Sequence, residues 1–179
     1  MKRRRKVALL LGIMGVISMF FSGCRGLLNL NTDDEKVDAA FDQLLNAVVA
    51  SDAEAVEALF AKNVVSEGEG FEQDLSELFS FCRGEVVSCN DRSGRCTSIE
   101  KNGSKYIKEI DTTHDVKTTE GLYRFAMKYR VADSKEPQNI GIRSLYVTEC
   151  DNEESLYFAY WGDGNWEIGI TIEPKEGTA

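Results

Sequence analysis

Apolar and polar residues follow three different periods along this chain, and each period predicts a different kind of element. Residues 7–21 are almost continuously apolar. From residue 33 the apolar positions Val37, Ala40, Phe41, Leu44, Leu45, Val48 and Val49 recur at helical spacing, which predicts a helix over 33–50. Thr32 with Glu35 forms a capping box, and Asp33, Asp34 and Glu35 sit in the first turn, where the helix dipole favours acids. Ser51-Asp52-Ala53-Glu54 repeats that capping signature and predicts a second helix with Ala55, Val56, Leu59 and Phe60 on its apolar face. A break at Glu67-Gly68-Glu69-Gly70 precedes a third helix carrying Phe71, Leu75, Leu78, Phe79 and Cys82, ending near Gly84.

Beyond residue 85 the period shortens to two. Strands are predicted over 85–90, 106–117, 122–131, 140–150 and 166–172, with a hairpin at Asn102-Gly103. In the third of these, Tyr123, Phe125, Met127, Tyr129 and Val131 alternate with Arg124, Lys128 and Arg130. That alternation predicts a half-buried antiparallel strand. An aromatic run, Tyr157, Phe158, Tyr160 and Trp161, has no predicted conformation. Helices first and strands after predict an α+β domain, with N-terminal helices packed on one face of a curved antiparallel sheet.

The first apolar run is too short for the roughly 18–20 residues of a membrane span. It follows the basic residues Lys2, Arg3, Arg4, Arg5 and Lys6 and leads into Phe21-Ser22-Gly23-Cys24. This is the layout of a secretory signal: positive start, apolar centre, small residues before the cut. The stretch resembles a bacterial lipobox, which implies that Cys24 receives a diacylglycerol and becomes the new N-terminus. Two acyl chains suffice for stable anchoring. The expected organisation is therefore a signal over 1–23, a lipidated tether over 24–31 and one domain over 32–179, on the extracytoplasmic face of the membrane.

Removing residues 1–23 takes five basic residues and no acids from a formal charge of −9, leaving −14. So acidic a body argues against nucleic acid and against lying flat on anionic lipid; it also keeps an exported domain soluble. Cys82, Cys89, Cys96 and Cys150 remain beyond Cys24. An even number in an exported chain suggests disulfides. The turn-rich stretch 90–95 points to a Cys89–Cys96 bridge, with Cys82–Cys150 as the second. The six-residue gaps between cysteines do not match zinc knuckles, and buried thiols acting as small hydrophobes are the further alternative.

The order of elements resembles the nuclear-transport-factor-like, cystatin-like α+β cone. More narrowly, the chain resembles an uncharacterised family of Gram-positive bacterial lipoproteins with that fold. The residues carrying the resemblance are Phe41 to Leu45, Asp52, Leu59-Phe60, Asn139-Ile140-Gly141-Ile142, Ser144-Leu145-Tyr146, Trp161-Gly162, Gly169-Ile170 and Ile172. They span about 33–172 and are core and turn residues, so they speak to fold and not to chemistry. The family has no assigned activity.

The cone implies a pocket between sheet and helices. Some relatives with it are isomerases and dehydratases, which need a carboxylate base and a hydrogen-bond donor in an apolar site. Asp111 and Asp115 are the acids available, and Tyr123, Tyr129 and Tyr146 the donors. No spacing singles out one acid, so ordinary core tyrosines and water-facing aspartates are expected. His114 is the single histidine, which excludes sites needing two. There is no serine elbow, phosphate-binding glycine loop or calcium loop. Tyr123, Tyr129, Tyr146 and Trp161 are candidate pocket or docking aromatics. No catalytic residue, metal or cofactor is expected. The sequence predicts a lipid-anchored, non-enzymatic domain that binds a small ligand or an envelope protein. The alternatives are a small isomerase or dehydratase and a homodimeric module pairing through its sheet.

Overall fold

The computed structural model describes residues 32–91, 95–150 and 167–173. The expected signal and tether, with Cys24, and the aromatic run with Trp161 lie outside them. Thr32–Ala179 forms one compact unit, distinct from Met1–Asn31. Among the described residues no helix is long and apolar enough to cross a membrane.

Helix α1, Asp33–Ala50, begins with the capping box the sequence predicts. The Thr32 hydroxyl accepts the Glu35 N–H at 3.1 Å, and the Glu35 carboxylate accepts the Thr32 N–H at 3.0 Å. Its inward stripe is Val37, Ala40, Phe41, Leu44, Ala47 and Val48. Val49, expected on that stripe, is 54% exposed instead. Ser51 is the left-handed residue that ends α1, so the next cap falls on Asp52, whose carboxylate accepts the Ala55 N–H at 3.0 Å. Helix α2, Ala53–Glu57, is therefore only five residues long. Leu59 and Phe60 lie beyond it, where the Leu59 carbonyl and the Ala61 N–H bond to Ile142. A short helix α3, Lys62–Glu67, and helix α4, Phe71–Phe81, complete the helical half.

The strands are β1 (Val86–Asp91), β2 (Cys96–Asn102), β3 (Lys105–Thr118), β4 (Leu122–Asp133), β5 (Gly141–Cys150) and β6 (Gly169–Glu173). They form one open, mixed sheet in the order β1-β3-β4-β5-β6, with β2 also on β3. The fold is α+β. The β2–β3 hairpin closes through Gly103-Ser104, one residue later than the Asn102-Gly103 signal, with Gly103 at φ 57°. A primed turn needs that positive φ at its first central position. β6 runs parallel to β5, which corrects the all-antiparallel expectation. Adjacent parallel strands need a long crossover between them, and the residues from 151 to 166 supply that length.

Pairing and the two-residue period fix which side chains share a face. Val116, His114, Thr112 and Ile110 of β3 lie beside Tyr123, Phe125, Met127 and Tyr129 of β4. This face meets α1 and α4 in one core with Phe41, Leu44, Leu75 and Leu78. The opposite face carries Asp115, Thr113, Asp111 and Glu109 beside Arg124, Ala126, Lys128 and Arg130. Each acid of β3 there stands against a base of β4. The expected half-buried strand is thus corrected. Arg124, read as water-facing, is 1% exposed.

Candidate functional site

Three groups of chemistry-bearing side chains stand out. The first lies between the helices and the sheet. Phe41 of α1 stacks flat on the His114 ring at 3.5 Å and 7°, and meets Phe125 edge-on at 5.9 Å. The Thr112 hydroxyl is 3.0 Å from His114 Nε2. Burial holds the imidazole below its ordinary value of 6.5. Asp91, Asp38 and Asp42 pull it upward, and Arg95 adds to the drop. His114 is therefore neutral in the fold at neutral pH, a core residue with a satisfied ring nitrogen.

This has a consequence for acid stability. A histidine whose folded pKa is depressed takes up its proton more readily in the unfolded chain. Its contribution is intact above about pH 6.5 and declines as pH falls through that value toward the lower folded one. Urea denaturation at pH 7.5 and 5.5 checks this. His114→Phe, which keeps an aromatic on Phe41, is expected to lose less stability across that window than the wild type.

The tyrosines do not converge. Tyr123 is 1% exposed; its hydroxyl accepts the Arg83 N–H at 3.2 Å and its ring meets Phe81 edge-on. Tyr129 packs half-buried against the same core, and burial raises its hydroxyl pKa. Tyr146 stands on the other face, opposite Ala126, and accepts the Glu167 N–H at 3.0 Å. Between α1 and β1, among the described residues, a cavity lined by Leu45, Val48, Val86, Val116, Tyr123 and Phe125 among others is about 10 Å³. That is room for one water at most.

The second group is the charged face. Arg124 Nε donates to Asp115 Oδ1 at 2.8 Å and Nη2 to Oδ2 at 3.2 Å, a bidentate pair. Arg130 joins Glu109 and Asp133 at 2.8 and 2.9 Å. Lys128 Nζ is 3.9 Å from Asp111 Oδ1, a buried oxygen without a hydrogen bond. Burial raises the Asp111 pKa, and Lys128 opposes the rise. The water-facing expectation for these aspartates is thus corrected. Asp115 is clamped, and both acids lie across the sheet from Tyr123 and Tyr129. Neither aspartate shares a face with Tyr123 or Tyr129, as the expected acid–donor pair would need.

The third group is the cysteines. Cys82, Cys89 and Cys96 are free thiols. β1 and β2 do not fold back on each other; both run antiparallel to β3 in one direction. Cys89 pairs with Val116 and Cys96 with Asp111, five residues apart along β3 and on opposite faces. That is roughly 17 Å at about 3.4 Å per residue, against a disulfide limit near 7 Å. The expected Cys89–Cys96 bridge does not fit this register. Cys82 packs on the helix side, whereas Cys150 pairs with Leu122, next to the inward Tyr123, and so faces away. The second expected bridge does not form either. Burial and then Glu149 push the Cys82 thiol up to about 12. Burial, Asp42, Asp91 and Asp115 raise that of Cys89. A nucleophilic cysteine needs the reverse. Among the described residues no group of three or more His, Cys, Asp or Glu is placed to hold a metal.

Sequence reasoning missed one acidic strip. Asp34, Asp38 and Asp42 recur every four residues along α1, a spacing that stacks them on one face. Asp91 joins them from β1. Arg95 bonds Asp38 and reaches Asp91 at 3.1 Å and Asp34 at 3.6 Å. The period was visible in the sequence, but the first of these acids was already accounted for by the helix dipole.

With the geometry in place, residues 43–150 match a family described as Domain of unknown function (DUF5104). The chain belongs to that family. Comparison with curated proteins finds no match. The family stretch runs from the middle of α1 to the end of β5. It contains His114, the β3–β4 charged face and Asp91, while Asp34, Asp38, Phe41 and Asp42 precede it.

Proposed function

We propose that this chain is an extracytoplasmic lipoprotein, anchored through Cys24, whose domain holds another protein and catalyses nothing. In this reading the α+β domain is a nuclear-transport-factor-like cone with a filled interior, and its relatives are Gram-positive lipoproteins. The observation that carries the reading is the filled helix–sheet interface. Its cavity of about 10 Å³ holds neither a substrate nor a small ligand, far below the roughly 300–1,000 Å³ of ligand pockets. The separation of Asp111 and Asp115 from Tyr123 and Tyr129 across the sheet speaks against an isomerase built on those pairs. Function then falls to the surface, where an acidic domain near a membrane meets envelope proteins.

The test uses the full chain in a Gram-positive host. The wild type is expected in the membrane fraction, cleaved by protease added to protoplasts, and joined by a short amine crosslinker to a second protein. Cys24→Ser is expected to lose lipid modification and stable membrane retention. Retention of the variant with an unchanged lipid mass, or protection from added protease, contradicts the anchor. Adducts only between copies of the chain favour the homodimer instead.

A further inference from the structure

The β1 edge combines three features. First, β1 pairs only with β3 among the described residues, and five of its six residues are exposed. An unpaired strand edge is a template for another extended segment. Second, apolar side chains gather there: Val86 is 37% exposed, Val87 60% and Val49 of α1 54%. The register passes from Val86–Thr118 to Ser88–Lys117, so Val87 is the extra residue of a bulge. Such a bulge discourages indiscriminate edge pairing while re-aiming a side chain. Third, the acidic strip runs alongside. Asp38 and Asp91 already hold the guanidinium of Arg95, so the strip's chemistry toward cations is realised once within the chain. Asp42 is exposed and lies one turn further along α1.

We propose that the open edge of β1 receives an extended segment of a partner protein that carries basic and apolar residues together on one face. The segment adds to the sheet as a further strand with that face toward α1, its apolar side chains against Val49 and Val87 and its basic ones toward Asp42 and Asp91. Charge decides the occupant. A second copy would bring two like acidic strips together, on chains that each carry a formal charge of −9, at a cost opposite-charge partners do not meet. This proposal rests on the reading that the domain holds a protein.

The probe is a labelled ten-residue peptide, Thr-Lys-Thr-Val-Thr-Lys-Thr-Val-Thr-Lys, whose lysines and valines share one face of a strand. The protein is the full chain in nanodiscs of zwitterionic lipid, with empty discs as control. Binding is followed by anisotropy and located by amide hydrogen exchange. The expected result is slowed exchange at residues 86–91, with affinity falling as salt rises. Asp42→Lys is expected to weaken binding about tenfold, and Val87→Lys to weaken it while leaving exchange in β3 and β4 unchanged, which shows the variant is folded. A glutamate–valine peptide is expected not to bind. Protection absent from β1 or located elsewhere, binding indifferent to Asp42→Lys, or pairing of the edge with a second copy overturns the proposal. A partner crosslinked in cells through another surface sinks the edge but spares the protein-holding function; no partner adduct at all sinks both.

Discussion

Asp115→Ala is expected to destabilise the fold by about 3–5 kcal/mol, because it removes the bidentate partner of a guanidinium that is itself buried. The pair sits mid-sheet, with Arg124 1% and Asp115 7% exposed. Taking one charge away leaves the other without its main compensation, in surroundings that solvate it poorly. In a domain of this size the loss corresponds to a fall in Tm of roughly 10 °C. The matching variant separates the pair's net worth from the cost of breaking it. Asp115→Leu with Arg124→Met is expected to recover most of the loss, since apolar replacements of a buried pair are often neutral or better. Denaturant melts of the single and double variants measure both. A single variant within about 0.5 kcal/mol of wild type, the range of ordinary surface changes, shows that the pair is not buried as described.

Gly141→Ala is expected to cost on the order of 3 kcal/mol. Gly141 opens β5 at φ 134°, a region that side chains rarely adopt. A Cβ there falls 2.8 Å from the Ala61 nitrogen and 2.9 Å from the Leu59 carbonyl oxygen. Both are backbone atoms of the segment whose bonds to Ile142 tie the helical half to the sheet, so neither side can yield locally. Gly103→Ala is the control: its φ is also positive, but no atom lies within 4 Å of the added carbon. It is expected to cost less, through backbone strain alone. Equal losses for the two would mean that the Leu59–Ala61 contact contributes nothing.

Much of the fold was legible because local signals and burial agreed. Thr32 and Glu35 marked the start of α1 through their own hydrogen bonds, and alternation in β4 named its core face correctly. The misses have physical reasons. Periodicity needs length, so the six residues of α3 left no trace. Strand direction is not written in a two-residue period, so the parallel β6 read the same as an antiparallel one. The polar stretch after Asn90 looked like a reversal, but a turn-rich composition interrupts a strand as readily as it turns it. That error produced the Cys89–Cys96 expectation. Arg124 read as a solvent residue because alternation reports which face a residue is on, not whether that face is covered.

The candidate site was less legible still. Tyr123, Asp111, Asp115 and His114 were named from residue type, and type alone could not place them on faces. The β3–β4 register does so, and it separates the acids from the core tyrosines. Asp42 carried a readable four-residue period with Asp34 and Asp38, yet only the fold brings Asp91 and Arg95 to it from another strand.

The central claim is that the space between helices and sheet is packed core and that the domain acts through its surface. Native mass spectrometry of the full chain, released from its own membranes in mild detergent, tests this most directly. The account predicts the mass of the chain from Cys24 with its lipid and no other small molecule. Extra mass that vanishes on denaturation, retained after washing in high salt, would contradict it and restore an internal ligand site.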